Sequence, residues 1–187
     1  MALTITEALA EIKTINKRIE KKREFIQGFL FRQEGLKDPL EKDGGSIEAI
    51  RRERQSVTDL ETRILDIRRE IQRANDATQI TVGDKTLSMA EWLTWRRDVA
   101  PGQQAFLAGI RRTLYQLREQ AKRGGANVLS AQASVTSGDA KPTDYIVNVD
   151  EATLGREIEN LENILGNLDG QLSLKNATVM LELEAAP

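Results

Sequence analysis

The chain of 187 residues has no histidine and no cysteine. Those two absences together remove disulfides, thiolate and imidazole metal sites, cysteine nucleophiles and the Ser–His–Asp triad. Any acid–base chemistry would fall to carboxylates or to lysines of strongly shifted pKa. Aromatic residues make up only 4% of the chain, which suits aliphatic helix–helix seams better than the core of a globular enzyme. No stretch approaches the roughly 18 apolar residues needed to span a bilayer. The opening Met1-Ala2-Leu3-Thr4-Ile5-Thr6-Glu7 becomes amphipathic at once and has no signal-peptide pattern. The chain therefore reads as made and kept in the cytoplasm, or in a virion assembled there. Neither a GxxxxGK[ST] nor a GxGxxG fingerprint occurs, so nucleotide binding has no sequence support. The expectation is a protein without catalytic residues, metal or cofactor.

Charged residues are abundant, at 30%, and interleaved in sign. The net charge of −2 hides an uneven distribution: residues 138–187 hold ten acidic and three basic groups, −7, which leaves +5 for residues 1–137. An acidic last helix packed on basic helices accounts for this. An anionic partner for a basic body is the alternative. The run Lys17-Arg18-Ile19-Glu20-Lys21-Lys22-Arg23-Glu24 and the doublets Arg51-Arg52, Arg68-Arg69, Arg96-Arg97 and Arg111-Arg112 resemble phosphate-binding charge. They lack stacking aromatics, however, and alternate with acids, so nucleic acid is not the expected partner. Asp139, Asp144, Asp150 and Glu151 match no cation-binding loop spacing, and Asp150 is better explained as a helix cap. Glu157, Glu159 and Glu162 read as the wet face of a helix.

The apolar residues are periodic. Thr4-x-x-Glu7 is a capping box, after which Ile5, Ile12, Ile19 and Ile26 recur every seven residues with Ala8, Ile15 and Phe29 as companions, a heptad seam. This predicts a helix over 4–34, fading near Gly35. Residues 36–45, Leu-Lys-Asp-Pro-Leu-Glu-Lys-Asp-Gly-Gly, read as a loop. Ser46 as N-cap opens a second helix, 46–75, with Ile50, Val57, Ile64 and Ile71 again seven apart. Each helix spans about 45 Å at 1.5 Å per residue. Alternation around Gly83-Asp84 predicts a β-hairpin over 78–87. A second capping box, Ser88-x-x-Glu91, opens a third helix over 88–123, with a kink at Pro101-Gly102. Trp92 and Trp95 are placed to cover the hairpin. The Gly/Ala/Ser-rich stretch 124–144 reads as a linker. A short strand at 145–149 follows. A fourth helix over 150–174 carries the cleanest seam, Leu154, Ile158, Leu161, Leu165, Leu168 and Leu172. The alternation Val179-x-Leu181-x-Leu183 predicts a terminal strand over 177–183.

Two stretches carry a resemblance. One is Arg73-x-Asn75-x-Ala77-Thr78, then Thr86-Leu87 and Arg97-Asp98. The other is the ending, Asn176-Ala177-Thr178 followed by Leu181-Glu182-Leu183. These resemble the septicolysin-like family of small bacterial and phage helical proteins. The resemblance extends to the order of elements along the chain. The family has Asp-Gly at the hairpin turn where this chain has Gly83-Asp84, and a shorter counterpart of 124–144. The resemblance implies the fold and no catalytic residues, and its family label suggests a cytolysin.

The expected architecture is a single mainly α domain, 1–187: an antiparallel long-helix bundle or coiled-coil hairpins, with a small antiparallel β-sheet at one end. The expected function is non-enzymatic assembly through helical seams and strand edges. A phage virion component fits best, such as a capsid decoration, head or tail accessory protein, associating with itself and with other virion proteins. The alternatives are a membrane-active cytolysin-like protein and a nucleic-acid or chaperone adaptor. The expected interaction residues are Phe31, off its seam, Gly83 and Asp84 at the hairpin turn, and Val179, Leu181 and Leu183 on the last strand.

Overall fold

The computed structural model describes residues 2–131, 141 and 143–183. The fold is mainly α. Its order is β1 (Ala2–Thr4), α1 (Ile5–Gly28), a 3-10 turn (Glu41–Asp43), α2 (Ser46–Ala77), β2 (Gln79–Val82), β3 (Lys85–Ser88), α3 (Met89–Thr94), a π-turn (Trp95–Val99), α4 (Ala100–Gly124), β4 (Val128–Ser130), β5 (Tyr145–Val147), α5 (Glu151–Thr178) and β6 (Met180–Glu182). The chain divides into two compact units, Met1–Thr78 with Gln171–Pro187, and Gln79–Gly170, where the sequence pattern suggests one domain.

In the first unit, the Thr4 hydroxyl accepts from the Glu7 amide at 3.2 Å while the Glu7 carboxylate accepts from the Thr4 amide at 2.8 Å. That reciprocal box fixes the start of α1. The heptad then buries Ile5, Ala8, Ile12, Ile15 and Ile19. On α2, Ile67 and Ile71 are buried. The two helices run antiparallel, as their cross-helix ion pairs show: Arg63 bonds Glu11 at 3.1 Å and Lys22 bonds Glu53 at 2.6 Å. α1 stops at Gly28, short of the expected residue 34, because beyond Phe29 the seam meets no buried neighbour: Leu30 and Phe31 are exposed. At the start of α2 the sequence suggests Ser46 as the cap. Instead the Asp38 carboxylate reaches across the loop to accept from the Ser46 amide and hydroxyl and from the Leu40 amide.

In the second unit, β2 and β3 pair antiparallel with Ile80 opposite Leu87, and Gly83 takes the left-handed conformation that the turn needs. Ser88 and Glu91 form the second capping box. Trp92 is buried and donates its indole N–H to the Ile80 carbonyl at 2.9 Å, pinning α3 to the hairpin. The expected kink at Pro101-Gly102 is instead a π-turn just before it, in which the Ala100 amide bonds the Trp95 carbonyl. Pro101 has no N–H to offer the carbonyl four residues back, and the wider turn absorbs that gap while the helix continues. α4 and α5 run antiparallel, with Arg96 on Asp169 at 3.0 Å and Arg118 on Glu151 at 2.6 Å. Asp150 caps α5, accepting from the Ala152 amide at 3.1 Å. Residues 171–178 of α5 belong to the first unit.

The strands correct one expectation. Among the described residues they make three two-stranded sheets rather than a single antiparallel one: β1 with β6 antiparallel, β2 with β3 antiparallel, and β4 with β5 parallel. Alternation along a strand fixes which residues share a face but says nothing about which segment lies alongside. β1 was hidden beside a helix cap, and β4 within the stretch read as linker. The rest of that stretch, 132–140 and 142, lies outside the described residues, as do 184–187.

Candidate interaction surfaces

The connection between α1 and α2 leaves several large apolar side chains in solvent. The Phe25 and Phe29 rings meet tilted by 47°, with centroids 4.8 Å apart, and past them Leu30, Phe31, Leu36 and Ile47 lie exposed, Phe31 at 89% and Ile47 at 88%. The loop that carries the first three of these, and leads into α2 and its Ile47, is held by Asp38. Its three hydrogen bonds from Ser46 and Leu40 favour the ionised carboxylate, and its pKa falls from 3.8 to about 2, mainly through the Ser46 hydroxyl and amide. Arginines rim the surface: Arg51 is held by Glu48 at 2.9 Å, Arg23 by Glu61 at 2.7 Å, and Arg32 donates to the Leu36 carbonyl at 2.6 Å.

A second surface lies within the Gln79–Gly170 unit. The hairpin, the π-turn, α4 and α5 enclose a groove of about 430 Å³ that is open to solvent. Val82 and Leu87 come from the hairpin, Trp92 and Trp95 from α3 and the π-turn, Phe106 and Leu107 from α4, and Leu161 and Ile164 from α5. The two indoles meet edge to face at 5.5 Å. Asp84, Lys85, Gln103, Glu157 and Asn160 supply the polar lining. Phe106 stands 68% exposed at the margin. Along α4 the stripe Leu107, Ile110, Leu114 and Leu117 is only half-buried, and the helix buries just Ala100 and Ala121.

The residues singled out from the sequence fare differently. Phe31 is open to solvent, because α1 ends at Gly28 and leaves it on the loop rather than on a helix. Gly83 and Asp84 are exposed at the hairpin turn, and Asp84 also lines the groove. Leu181 and Leu183 are 2% and 4% exposed, so their side chains serve the chain's own core, and a neighbour would meet the last strand through its backbone edge. Leu181 pairs in register with Leu3, and both Leu181 and Leu183 are buried in the chain's own core. Val179 is half-buried, and its amide bonds the Lys175 carbonyl at 2.8 Å, closing α5. Nothing in the sequence pattern marked Ile47 or the groove, whose lining comes from four separate segments.

The acidic groups with shifted pKa values are structural. Glu7 and Glu91 are lowered chiefly by the amides they cap, and Asp144 by the amides of Asn127 and Lys141. Asp150 is lowered chiefly by the Thr153 hydroxyl. Among the described residues no three His, Cys, Asp or Glu side chains are grouped to hold a metal ion, and no helix is long and apolar enough to cross a membrane.

No family model and no curated protein matches the chain. It is similar in fold to a crystal structure titled as a functionally unknown conserved protein from Corynebacterium diphtheriae. The TM-score is 0.53 at 18% identity, with 97% of this chain and 100% of that one covered. At that identity the likeness speaks to the fold alone.

Proposed function

We propose that this chain is a non-enzymatic assembly protein whose exposed apolar surfaces seat neighbouring subunits. The observation that carries the reading is the α1–α2 connection, where Leu30, Phe31 and Leu36 on a loop that Asp38 holds in shape, and Ile47 in the first turn of α2, stand in solvent. Bulky apolar side chains exposed together on an ordered scaffold mark a contact surface. Within this class we favour a phage virion component, a capsid decoration or a head or tail accessory protein, associating with itself and with other virion proteins. That narrower reading draws on long regular helices and on a sequence without histidine or cysteine chemistry.

Sedimentation at micromolar concentration tests it. The wild-type chain is expected to run as an oligomer, and Phe31→Ser is expected to weaken association while leaving helicity unchanged. A monomer at every concentration overturns the reading. Leakage from liposomes that Phe31→Ser abolishes would replace it with a membrane-active one.

A further inference from the structure

We infer that the aromatic groove of the Gln79–Gly170 unit is a homotypic interface, in which a second copy of the chain docks about a two-fold axis with each Phe106 ring entering the other copy's groove. The inference rests on the assembly reading and names a surface and an occupant that reading leaves open.

The argument is self-complementarity. A two-fold interface brings the same patch of both subunits together, so everything that protrudes must find its recess on that same patch. This patch carries both. Phe106 is a 68% exposed aromatic at the margin of a recess walled by Trp92, Trp95, Leu161 and Ile164. A phenyl ring exposed beside a solvent-open aromatic recess leaves apolar area of both in water, and one partner copy buries both.

The charges follow the same rule. Lys85 and Glu157 both line the groove, are opposite in sign, and make no ion pair among the described residues. Across a two-fold axis, Lys85 of each copy faces Glu157 of the other, so both find partners without help from any other molecule. The half-covered stripe of α4, Leu107 with Ile110, Leu114 and Leu117, is what a two-helix layer shows when its outer side awaits another layer. A small molecule fits this surface less well. Ligand pockets bury most of their occupant, and this groove is open, with a large side chain standing at its margin.

The test is sedimentation equilibrium of the full-length chain, with circular dichroism as a check on folding. Phe106 is exposed, so Phe106→Ser should keep the wild-type helicity and weaken self-association by about 30-fold or more, as loss of an aromatic anchor does. Lys85→Glu and Glu157→Lys should each weaken it by about tenfold or more, since each sets like charges opposite one another. Mixed one to one, these two variants should recover wild-type affinity as a heterodimer, because every rim contact is then between opposite charges. Self-association of the wild type that Phe106→Ser leaves untouched overturns the groove as interface while the assembly reading stands. Loss of association in Phe106→Ser without recovery in the mixture overturns the two-fold pairing and leaves a heterologous contact between copies at the groove. A wild type that is monomeric throughout overturns both readings together.

Discussion

α1 and α4 are nearly the same length, 24 and 25 residues, and both carry an apolar stripe at helical spacing. α1 buries five residues of its stripe, while α4 buries only two alanines. Periodicity therefore does not report coverage: it marks the face that can be buried and is silent on whether anything lies against it. α1 has α2 alongside, joined by two cross-helix ion pairs, Lys22–Glu53 and Arg63–Glu11, and at its root the returning β6 strand sits on β1. The stripe of α4 meets α5, but both sides of the Leu107–Leu161 line are indented. The aromatic groove lies on one side, and a smaller hollow of about 160 Å³ lined by Gln104, Ala108, Arg111, Ile158 and Glu162 on the other.

The contrast has measurable consequences. The largest is at Ile67, which is fully buried: Ile67→Ala should destabilise the isolated chain by about 2–5 kcal/mol, the usual cost of a truncated core aliphatic residue with its cavity. Leu114, half-buried on α4, should cost less, about 1 kcal/mol for Leu114→Ala in dilute solution, because less apolar area returns to water. Urea denaturation measures both, and equal losses would erase the distinction between the two stripes. The Leu114 cost should also grow with protein concentration if a second copy covers α4, whereas the Ile67 cost should not.

The smallest effect concerns the loop that joins α1 to α2. The folded pKa of Asp38 is lowered from 3.8 to about 2, so its hydrogen bonds stabilise the fold above the unfolded value and are lost as pH falls toward the folded one. Asp38→Asn should therefore be less stable than wild type near neutrality, and the two should converge below about pH 2. An acid titration followed by circular dichroism checks this. A gap that persists unchanged through the acid range would show that the carboxylate charge does not hold the loop.

Much of this fold is legible in the residues. The heptads of Ile5, Ile12 and Ile19 mark a buried face, Thr4 with Glu7 and Ser88 with Glu91 mark helix starts, and Gly83-Asp84 marks a turn, because each is a local rule satisfied within a few residues. The exposure of Phe31 has another origin: α1 ends at Gly28, before it, so no helical seam extends to it. What escaped is non-local. No feature of Ala2–Thr4 announces that it pairs with Met180–Glu182, and so the fate of Leu181 could not be read. The groove joins Val82, Trp95, Phe106 and Ile164, whose only common property is where the chain folds to. Asp38 as the anchor of α2 was masked by Ser46, a residue with good capping chemistry of its own.

The π-turn at Trp95–Val99 sets a phase. A helix that carries one extra residue in a single turn resumes with every later side chain rotated by about 100° about the axis relative to an uninterrupted α-helix. The direction in which Phe106, Ile110 and Leu114 point is therefore decided by five residues upstream of them. A one-residue deletion there would leave α4 as long, as helical and as amphipathic as before. It would also turn the helix like a key in a lock, presenting a different row of side chains to whatever lies beside it.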